Sequence, residues 1–351
     1  MLELDPYREL PNPGETAMIE VRPPVAVIGA GISGLVAARL LAERGFPVTV
    51  YDKGRRPGGR SNTRTDGVYA FDHGCQYFTA RDRRFQRYVE SWLERGLISY
   101  WDARRASCMR GVVSPVQDDV ARYVGVPGMN AIAKQLAKDL DIRSATLVEG
   151  LQRDGGSWRI LHPEPSIERY ELVLMATPPD NARPLLAVNP TLQEAVSEAV
   201  MQPCWTAMAV FDYDIELPFD AAHFSTSSIV WAARNNSKPG RGGHECWVIQ
   251  ASPSWSVEHL EDHPDAVSAA LLAEFFAASG LNPVPAVYLA AHRWRYASPS
   301  KPLNAGCLWD RASGLGVCGD WCHSARMEGA FLSGLMLAEK VIDEWPRAQR
   351  D

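Results

Sequence analysis

The segment that most restricts how this chain can fold is residues 25–34, VAVIGAGISG, a short apolar strand that runs into three glycines. Residues 35–44 then have helical spacing, and Gly45 follows as a candidate left-handed cap. A second apolar stretch at 48–51 predicts a strand that ends at Asp52. Strand, glycines, helix, strand and acid in this order are typical of a Rossmann unit that binds a dinucleotide.

Each glycine of this unit has a separate physical task. Gly29 allows the tight turn, Gly31 lets the backbone approach a diphosphate, and Gly34 lets the helix pack closely on the strand. The helix start at Ile32 and Ser33 directs free amides and the positive end of the helix dipole at the anion. Asp52 lies 21 residues after Gly31, close to the spacing of about 20 expected for the acid that bonds the ribose hydroxyls.

Two further segments favour FAD over NAD. Residues 58–60 are Gly-Gly-Arg, and in flavoproteins of the amine-oxidase type this sequence lies along the FAD diphosphate. Gly59 permits close approach there, and Arg60 supplies a forked cation for phosphate oxygens. Residues 316–320 predict a strand that delivers Asp320, and a helix begins near residue 329, continues to about 344 and stops at Pro346. These features predict non-covalently bound FAD.

Longer stretches of the chain resemble a narrower family, the bacterial renalase-like flavoproteins, from about residue 24 onward. The matching segments are 52–53 with 58–60, 72–82 (DHGCQYFTARD), 126–129 (VPGM), 176–179 (ATPP), 231–241 (WAARNNSKPGR), 292–297 (HRWRYA), 318–322 (CGDWC) and 326–334 (RMEGAFLSG). The stretches at 76–82, 234–241 and 292–297 are the most particular to that family.

The resemblance implies an α/β chain with two discontinuous domains, similar in fold to p-hydroxybenzoate hydroxylase. A Rossmann-like FAD-binding domain of the two-dinucleotide-binding type would take residues 21–80, 125–185 and 300–347. An α+β substrate domain with a mainly antiparallel sheet would take 81–124 and 186–299, and residues 1–20 would form a loosely ordered extension. Independently, 129–140 has helical spacing, 146–160 reads as two strands around an Asp-Gly turn, and 172–176 reads as a buried strand.

Enzymes of the renalase type oxidise the 1,2- and 1,6-dihydro isomers of NAD(P)H. Hydride passes to flavin N5, and molecular oxygen then reoxidises the flavin and yields hydrogen peroxide. Because a dihydropyridine becomes an aromatic pyridinium when it loses hydride, the protein needs mainly to hold the ring against N5 and exclude water. The lack of an identifiable general base in this sequence is therefore compatible with that reaction.

The resemblance also assigns site residues. The cofactor set is Gly29, Gly31, Ile32, Ser33, Gly34, Asp52, Lys53, Gly59, Arg60, Gln76, Tyr77, Phe78, Val148, Thr177, Gly319, Asp320, Glu328, Gly329 and Ala330. Within it, Asp320 would accept a bond from the ribityl chain and the helix start at 328–330 would face the flavin pyrimidine. The candidate catalytic residues are Gln76, Tyr77, Trp231, Asn235, Gln250 and His292.

Two alternatives remain open for residues near the candidate substrate. Arg234, Lys238 and Arg241 could form a basic mouth for a substrate diphosphate, or could belong to a solvated loop. His292 could orient a carboxamide, or could be a hydrogen-bonded histidine of the sheet.

Four positions depart from the pattern of the renalase-like family and leave the substrate open. Relatives often carry histidine where this chain has Gln250, and methionine where it has Ser61. An apolar residue and alanine usually stand where it has His73 and Cys75. These changes are either neutral or the mark of a different substrate.

Composition excludes several other classes of function. With 36 basic and 42 acidic residues, the formal charge of −6 argues against nucleic-acid and anionic-membrane partners. The seven cysteines lack disulfide or zinc spacing, which predicts a reducing, cytoplasmic location and no metal site. The first 24 residues lack the pattern of a signal peptide, and Met18 could be the true start.

Two other functions compete with the renalase-like one. The first is an FAD-dependent oxidase or dehydrogenase of a small amine or another reduced heterocycle, in which Cys318 or Cys322 could be proposed as a covalent flavin attachment. The second is a non-enzymatic binding protein on the same scaffold, as in the GDP-dissociation inhibitors. The Gly-Gly-Arg sequence and Asp320 together favour a protein that depends on FAD.

Overall fold

The computed structural model describes residues 22–164 and 166–344, so the predicted extension at 1–20, Met18, and the helix stop at Pro346 lie outside the described residues. The strands are β1 (Val25–Ile28), β2 (Val48–Tyr51), β3 (Arg64–Asp66), β4 (Tyr69–Phe71), β5 (Ile98–Tyr100), β6 (Arg105–Met109), β7 (Val112–Pro115), β8 (Tyr123–Gly125), β9 (Asp141–Arg143), β10 (Gly150–Asp154), β11 (Ser157–Leu161), β12 (Leu172–Met175), β13 (Val200–Phe211), β14 (Ala221–Ser225), β15 (Ile229–Arg234), β16 (Glu245–Ala251), β17 (Tyr288–Lys301), β18 (Leu308–Asp310) and β19 (Leu315–Val317). The α-helices are α1 (Ile32–Glu43), α2 (Arg83–Glu94), α3 (Ala131–Ala137), α4 (Pro179–Leu185), α5 (Pro190–Ser197), α6 (Pro253–Glu258), α7 (Pro264–Ser279) and α8 (Met327–Glu344).

The first sheet is the Rossmann-like one, with strand order β18-β19-β12-β1-β2-β9. β1 pairs in parallel with β2 on one side and β12 on the other. All four residues of β1 are buried, as expected for a parallel strand covered on both faces. Helix α1 ends before Gly45, whose φ of +82° confirms the predicted left-handed position.

Two predicted elements are shorter than expected. The hairpin of β10 and β11 turns at Gly155, but its first strand begins at Gly150 because residues before it turn aside to bond the end of β2. The helical spacing at 129–140 yields only α3, which ends where Asp139 takes a φ of +61°.

The second sheet is larger and has the order β17-β13-β16-β15-β14-β6-β7. Its strands pair antiparallel except for β14 with β6. One face packs on α7 through Trp247 and Phe275, whose rings are 5.0 Å apart. The opposite face carries Met208 and Val248 against Phe71 of β4. A Rossmann-like domain with a second, mainly antiparallel sheet confirms the predicted fold class.

None of the helices formed by the described residues is both long enough and apolar enough to cross a membrane.

Candidate functional site

A groove forms where the glycine turn after β1 meets the Gly-Gly-Arg turn. Gly29 has a φ of +112°, and a Cβ there would lie 2.7 Å from the Ala176 carbonyl oxygen, so only glycine fits. No heavy atom of the described residues lies within 4 Å of the position that a Cβ on Gly31 would take. The Gly58 amide donates to the Ala30 carbonyl over 2.8 Å and brings the two turns together.

Asp52 lies at one end of this groove. Its carboxylate accepts the amide of Ala30 at 2.5 Å and that of Gly54 at 2.6 Å. Burial raises the pKa of Asp52, although these amides and the charge of exposed Lys53 act in the opposite direction. The Thr146 amide donates to the Asp52 carbonyl over 2.9 Å, which places the segment that contains buried Val148 next to this end.

Arg60 and Asp320 meet in the groove. The guanidinium donates two hydrogen bonds to the carboxylate, each of 2.7 Å, and a third of 2.9 Å to the Ala297 carbonyl. The Arg60 side chain is 32% exposed and that of Asp320 is 8% exposed. The Thr177 hydroxyl next to Gly29 is buried and has no hydrogen-bond partner among the described residues. The sequence predicts that these three residues belong to one site, and the structure brings them together. Arg60 and Asp320 bond each other here, and their bonds to FAD stay a prediction.

The start of α8 closes the groove on another side. Ser33 Oγ donates to the Ala330 carbonyl over 2.7 Å, and Gly329 lies against the Ser324 backbone. The Glu328 carboxylate accepts the amides of Arg81 at 2.6 Å and Asp82 at 2.8 Å. Glu328, a predicted cofactor residue, therefore holds the chain that leads into α2.

A row of polar and aromatic side chains crosses the second sheet, on the face opposite α7. Neighbouring strands pair these residues directly, so the side chains share one face. The row, here called the cross-strand row, consists of His292, Thr206, Gln250, Trp231 and His223. His292, Gln250 and Trp231 were predicted as catalytic residues. Thr206 and His223 were missed, because only the strand register reveals that they continue the row.

The segment 73–77 connects the groove to the cross-strand row. On the groove side, the Cys75 amide donates to the Arg60 carbonyl over 2.8 Å. On the row side, Gln250 Nε2 donates to the Gly74 carbonyl over 2.9 Å. Tyr77 lies with its ring 5.6 Å from that of Trp231. The groove and the row are thus two sides of a single site.

Two histidines and a tryptophan form one end of this site. The His73 ring lies 4.8 Å from His292 and 4.9 Å from Trp294. Burial, with the nearby His292 and Arg64, lowers the pKa of His73 to about 3. Burial and Arg64 lower the pKa of His292 to about 4. Both rings are therefore neutral at neutral pH, and His73 Nδ1 and Trp231 Nε1 are buried with no hydrogen-bond partner among the described residues.

A buried charge cluster, Asp72 with Lys238 and Arg241, lies behind the segment 73–77. Asp72 Oδ2 accepts Lys238 Nζ at 3.4 Å and Arg241 Nη2 at 2.5 Å. The side chains of Asp72 and Lys238 are 0% exposed and that of Arg241 is 3% exposed. Burial lowers the pKa of Lys238 to about 8. Burial alone would raise the pKa of Asp72, but the two cations hold it below its ordinary value.

This cluster changes the interpretation of several predicted site residues. Lys238 and Arg241, considered for a basic mouth or a solvated loop, form neither, because both are buried in ion pairs. Arg234 is similar, since its side chain is 14% exposed and pairs with Asp220 and Glu245.

The side-chain amides of two predicted catalytic residues, Gln76 and Asn235, form hydrogen bonds with the buried charge cluster. Gln76 Oε1 accepts Lys238 Nζ at 3.0 Å. Asn235 Oδ1 accepts Lys238 Nζ at 3.3 Å, and Asn235 Nδ2 donates to the Ala70 carbonyl over 2.9 Å. In the structure, both side chains therefore hold Lys238 in the buried charge cluster. Phe78, predicted to line the flavin, packs in the core against Phe85 and Tyr123.

All seven cysteines lie within the described residues, and those other than Cys307 form no disulfide bond there. Cys318 and Cys322, considered for covalent attachment, are 0% exposed, and burial raises the pKa of both thiols. Within the described ranges, no group of three His, Cys, Asp or Glu side chains is arranged to hold a metal ion.

Comparison with known proteins bears on the groove and on the fold. A family described as an NAD(P)-binding Rossmann-like domain matches residues 27–92. The chain is 49% identical over 57 residues to phytoene desaturase (neurosporene-forming) of Rhodobacter capsulatus, a match that covers 16% of this chain and 11% of the relative. It is 36% identical over 76 residues to 4,4'-diapophytoene desaturase of Staphylococcus aureus, covering 19% and 15%. The matches thus span a small part of the length of these curated relatives.

Solved structures resemble the whole described fold. A protein assigned as a protoporphyrinogen oxidase from Exiguobacterium sp. 255-15 superposes with a TM-score of 0.75 at 14% identity, covering 92% of this chain and 99% of the other. Cyclohexylamine oxidase from Brevibacterium oxydans gives 0.73 at 14% identity, with coverage of 93% and 99%. A variant of putrescine oxidase gives 0.68 at 14% identity, with coverage of 92% and 99%.

These comparisons support the predicted fold class. The chain contains a Rossmann-like dinucleotide-binding domain and has the fold of these oxidases. The agreement with the solved structures, at 14% identity, concerns the fold. It does not extend to the resemblance to renalase-like proteins.

Proposed function

We propose that this chain is an FAD-dependent oxidase that oxidises 1,2- or 1,6-dihydro isomers of NAD(P)H, with molecular oxygen as the second substrate and hydrogen peroxide as a product. The observation that carries the proposal is the hydrogen bond from Gln250 to the Gly74 carbonyl, next to the bond from Cys75 to Arg60. These two bonds place neutral donors of the second sheet beside the candidate cofactor groove.

The residues of the groove fit FAD. The space at Gly31 suits a diphosphate, the partnerless Thr177 hydroxyl suits an acceptor-rich ligand, and the Arg60 side chain supplies donors that phosphate oxygens accept. Asp52 would hold the adenosine ribose, because its oxygens retain lone pairs beside the two amides. Bound FAD would supply a two-electron acceptor to which a substrate hydride can pass.

The cross-strand row suits an uncharged ring that carries an amide. Gln250 and neutral His292 offer hydrogen bonds without a charge, and a dihydronicotinamide ring carries a neutral carboxamide. Trp231 and Tyr77 provide flat apolar surfaces that can hold such a ring in position. When the ring gives up hydride, it becomes a pyridinium, so no proton has to be removed by a side chain.

The neutral side chains of His73 and His292 are also consistent with a reaction that needs no general base. With pKa values of about 3 and about 4, His73 and His292 are poor bases near neutral pH. Their contribution would be to orient the substrate and to exclude water from the ring.

Anaerobic mixing of the purified FAD-loaded protein with 1,2- and 1,6-dihydro-NAD(P) tests the proposal. We expect the flavin absorbance to bleach rapidly and to return with hydrogen peroxide when air is admitted. If the flavin stays oxidised with every isomer while dithionite bleaches it, the proposed substrate is wrong.

A small amine is the second candidate substrate. The Tyr77 and Trp231 rings, with Trp101 6.0 Å from Tyr77, form an aromatic surface, and two of the proteins with the same fold are named as amine oxidases. Cyclohexylamine and putrescine in the same anaerobic assay separate the candidates. Bleaching by an amine and not by the dihydronicotinamides would favour this second function.

The proposed location is the cytoplasm, supported by the six cysteines other than Cys307, which form no disulfide bond within the described residues. The proposed domain division assigns residues 21–80, 125–185 and 300–347 to the FAD-binding domain and residues 81–124 and 186–299 to the substrate domain.

A further inference from the structure

Two arginines share one carboxylate at the end of the cross-strand row. Asp118 accepts Arg105 Nη1 at 2.7 Å, and Arg122 Nη1 and Nη2 at 2.8 and 3.0 Å. The arginine side chains are 15% and 13% exposed, and Asp118, at 35%, belongs to an exposed loop. Two positive charges therefore share one negative charge, and both arginine side chains are mostly buried.

This arginine pair lies against the candidate substrate site. The Arg122 guanidinium is 5.4 Å from the centre of the Tyr77 ring. On the row side, the exposed His223 ring lies 4.5 Å from Trp231. Partial burial of the ring, followed by the charges of Arg122 and Arg105, lowers the pKa of His223.

Two buried donors at this end have no acceptor. Arg122 Nε and Trp231 Nε1 both lack a hydrogen-bond partner among the described residues, and each belongs to a side chain in contact with Tyr77. Buried N–H groups without partners are uncommon, since each costs about 1–3 kcal/mol. Both nitrogens are enclosed in this structure, so a ligand oxygen would reach them only after the neighbouring side chains shift.

We infer that Arg105, Arg122 and His223 form a subsite for a phosphate ester carried by the substrate, next to the ring-binding surface of Tyr77 and Trp231. The inference rests on the proposed function, because it takes the substrate ring to bind at that surface. Guanidinium groups match phosphate oxygens in geometry and charge. A nicotinamide nucleotide has a ring and a phosphate joined by one ribose, which suits a ring surface beside a cationic subsite.

The chain contains a second pair of arginines that provides a matched control. Arg293 and Arg295 share Glu261, at 2.6 and 2.8 Å, but Glu261 is 69% exposed. Neither Arg293 nor Arg295 has a buried nitrogen without a partner within the described structure. The same charge pattern is thus present on the face of β17 opposite His292, without unmet donors.

Calorimetric titration of the FAD-loaded protein tests the inference, with nicotinamide mononucleotide, nicotinamide riboside and inorganic pyrophosphate as probes. We expect Arg122→Met to weaken binding of the mononucleotide and of pyrophosphate about tenfold, because a charged donor is lost, with little change for the riboside. Asp118→Asn removes the competing carboxylate and should strengthen mononucleotide binding several-fold. Arg295→Met should change neither, and FAD content and Tm report whether each variant is folded.

The outcomes separate this inference from the proposed function. Unchanged mononucleotide and pyrophosphate binding in folded Arg122→Met, weaker binding in Asp118→Asn, or an equal loss in Arg295→Met would each overturn the subsite. Pyrophosphate binding that follows the variants while no dihydro isomer bleaches the flavin would support the subsite and reject the proposed substrate. Bleaching with the same kcat/KM for dihydronicotinamide mononucleotide in wild type and Arg122→Met would support the substrate and reject the subsite.

Discussion

Two groups of ion-paired side chains lie on either side of the segment 73–77, and they differ in their access to solvent. Arg60 and Asp320 pair in the candidate cofactor groove, with side chains 32% and 8% exposed. The buried charge cluster of Asp72, Lys238 and Arg241 has side chains between 0% and 3% exposed. Ion pairs of the same chemical type therefore occur in one place at a partly exposed side chain and in the other away from solvent.

The difference in access indicates a difference in role. The Arg60 side chain is partly exposed and lines the candidate cofactor groove, so a ligand phosphate there could share its donors with Asp320. Charges fully removed from water depend on one another, because losing one partner leaves the others unpaired in a medium of low dielectric constant. We therefore assign ligand binding to the first group and the joining of the 235–241 loop to the segment 72–77 to the second.

The substitution Asp72→Asn should have the largest effect, because it leaves Lys238 and Arg241 without a compensating charge. We expect the free energy of unfolding to fall by about 3–5 kcal/mol, measured by urea denaturation of the FAD-loaded protein. In the double variant Asp72→Asn/Lys238→Met, one unpaired charge is removed and part of the loss should be recovered. A loss below about 1 kcal/mol would show that the cluster behaves like a surface ion pair.

Replacing Arg60 tests the other side of the comparison. We expect Arg60→Met to weaken FAD binding about tenfold to a hundredfold, which corresponds to about 1.4–2.8 kcal/mol, while the stability of the FAD-free protein changes less than in Asp72→Asn. Equilibrium dialysis gives the affinity and thermal unfolding gives the stability. If Arg60→Met lowers the stability as much as Asp72→Asn does while FAD affinity is retained, the roles assigned to the two groups are reversed.

The sequence was sufficient to predict the parts of the site whose residues lie close together in the chain. Strand β1, the glycines, helix α1 and Asp52 follow one another in the chain, and their spacing alone predicts their arrangement. The Gly-Gly-Arg turn and Asp320 are distant in sequence, yet the family resemblance placed both in the groove.

The buried charge cluster could not be predicted in the same way. Charge is visible at Lys238 and Arg241, but their common partner Asp72 is 166 and 169 positions away. A sequence shows that a residue is cationic and not whether an acid will meet it after folding. Both residues therefore looked like candidates for ligand binding or for a solvated loop.

The cross-strand row illustrates a second limit. Thr206 and His223 are single polar residues in apolar strands, and nothing local marks them. They join His292, Gln250 and Trp231 only because five strands align at one register, which depends on packing across the whole sheet.

The ionisation of Lys238 offers a third way to sharpen the comparison. Its pKa falls from 10.5 to about 8 in the folded protein, so between these values the unfolded chain binds the additional proton. Stability attributable to Lys238 should then rise with pH across this window, by up to about 1.4 kcal/mol per pH unit. The measurement is the difference in unfolding free energy between wild type and Lys238→Met from pH 7.5 to 10.5, which cancels the titration of tyrosines and cysteines. A difference that stays constant with pH would mean that burial does not perturb this lysine.

The smallest effect should come from Gln250, which holds the segment between the two charge groups from the side of the sheet. Gln250→Met keeps most of the volume and removes the 2.9 Å bond to the Gly74 carbonyl, a loss of about 1 kcal/mol. Because Gly74 lies between His73 and Cys75, we expect the loss to appear as a roughly fivefold lower kcat/KM in the anaerobic flavin assay, with FAD affinity nearly unchanged. Gln250→His tests the residue that relatives carry at this position, since a ring nitrogen can donate to the same carbonyl and should restore part of the activity. If Gln250→Met instead releases FAD, the segment 73–77 is held mainly from the sheet, and the pair of Arg60 and Asp320 is less independent of the row than its geometry indicates.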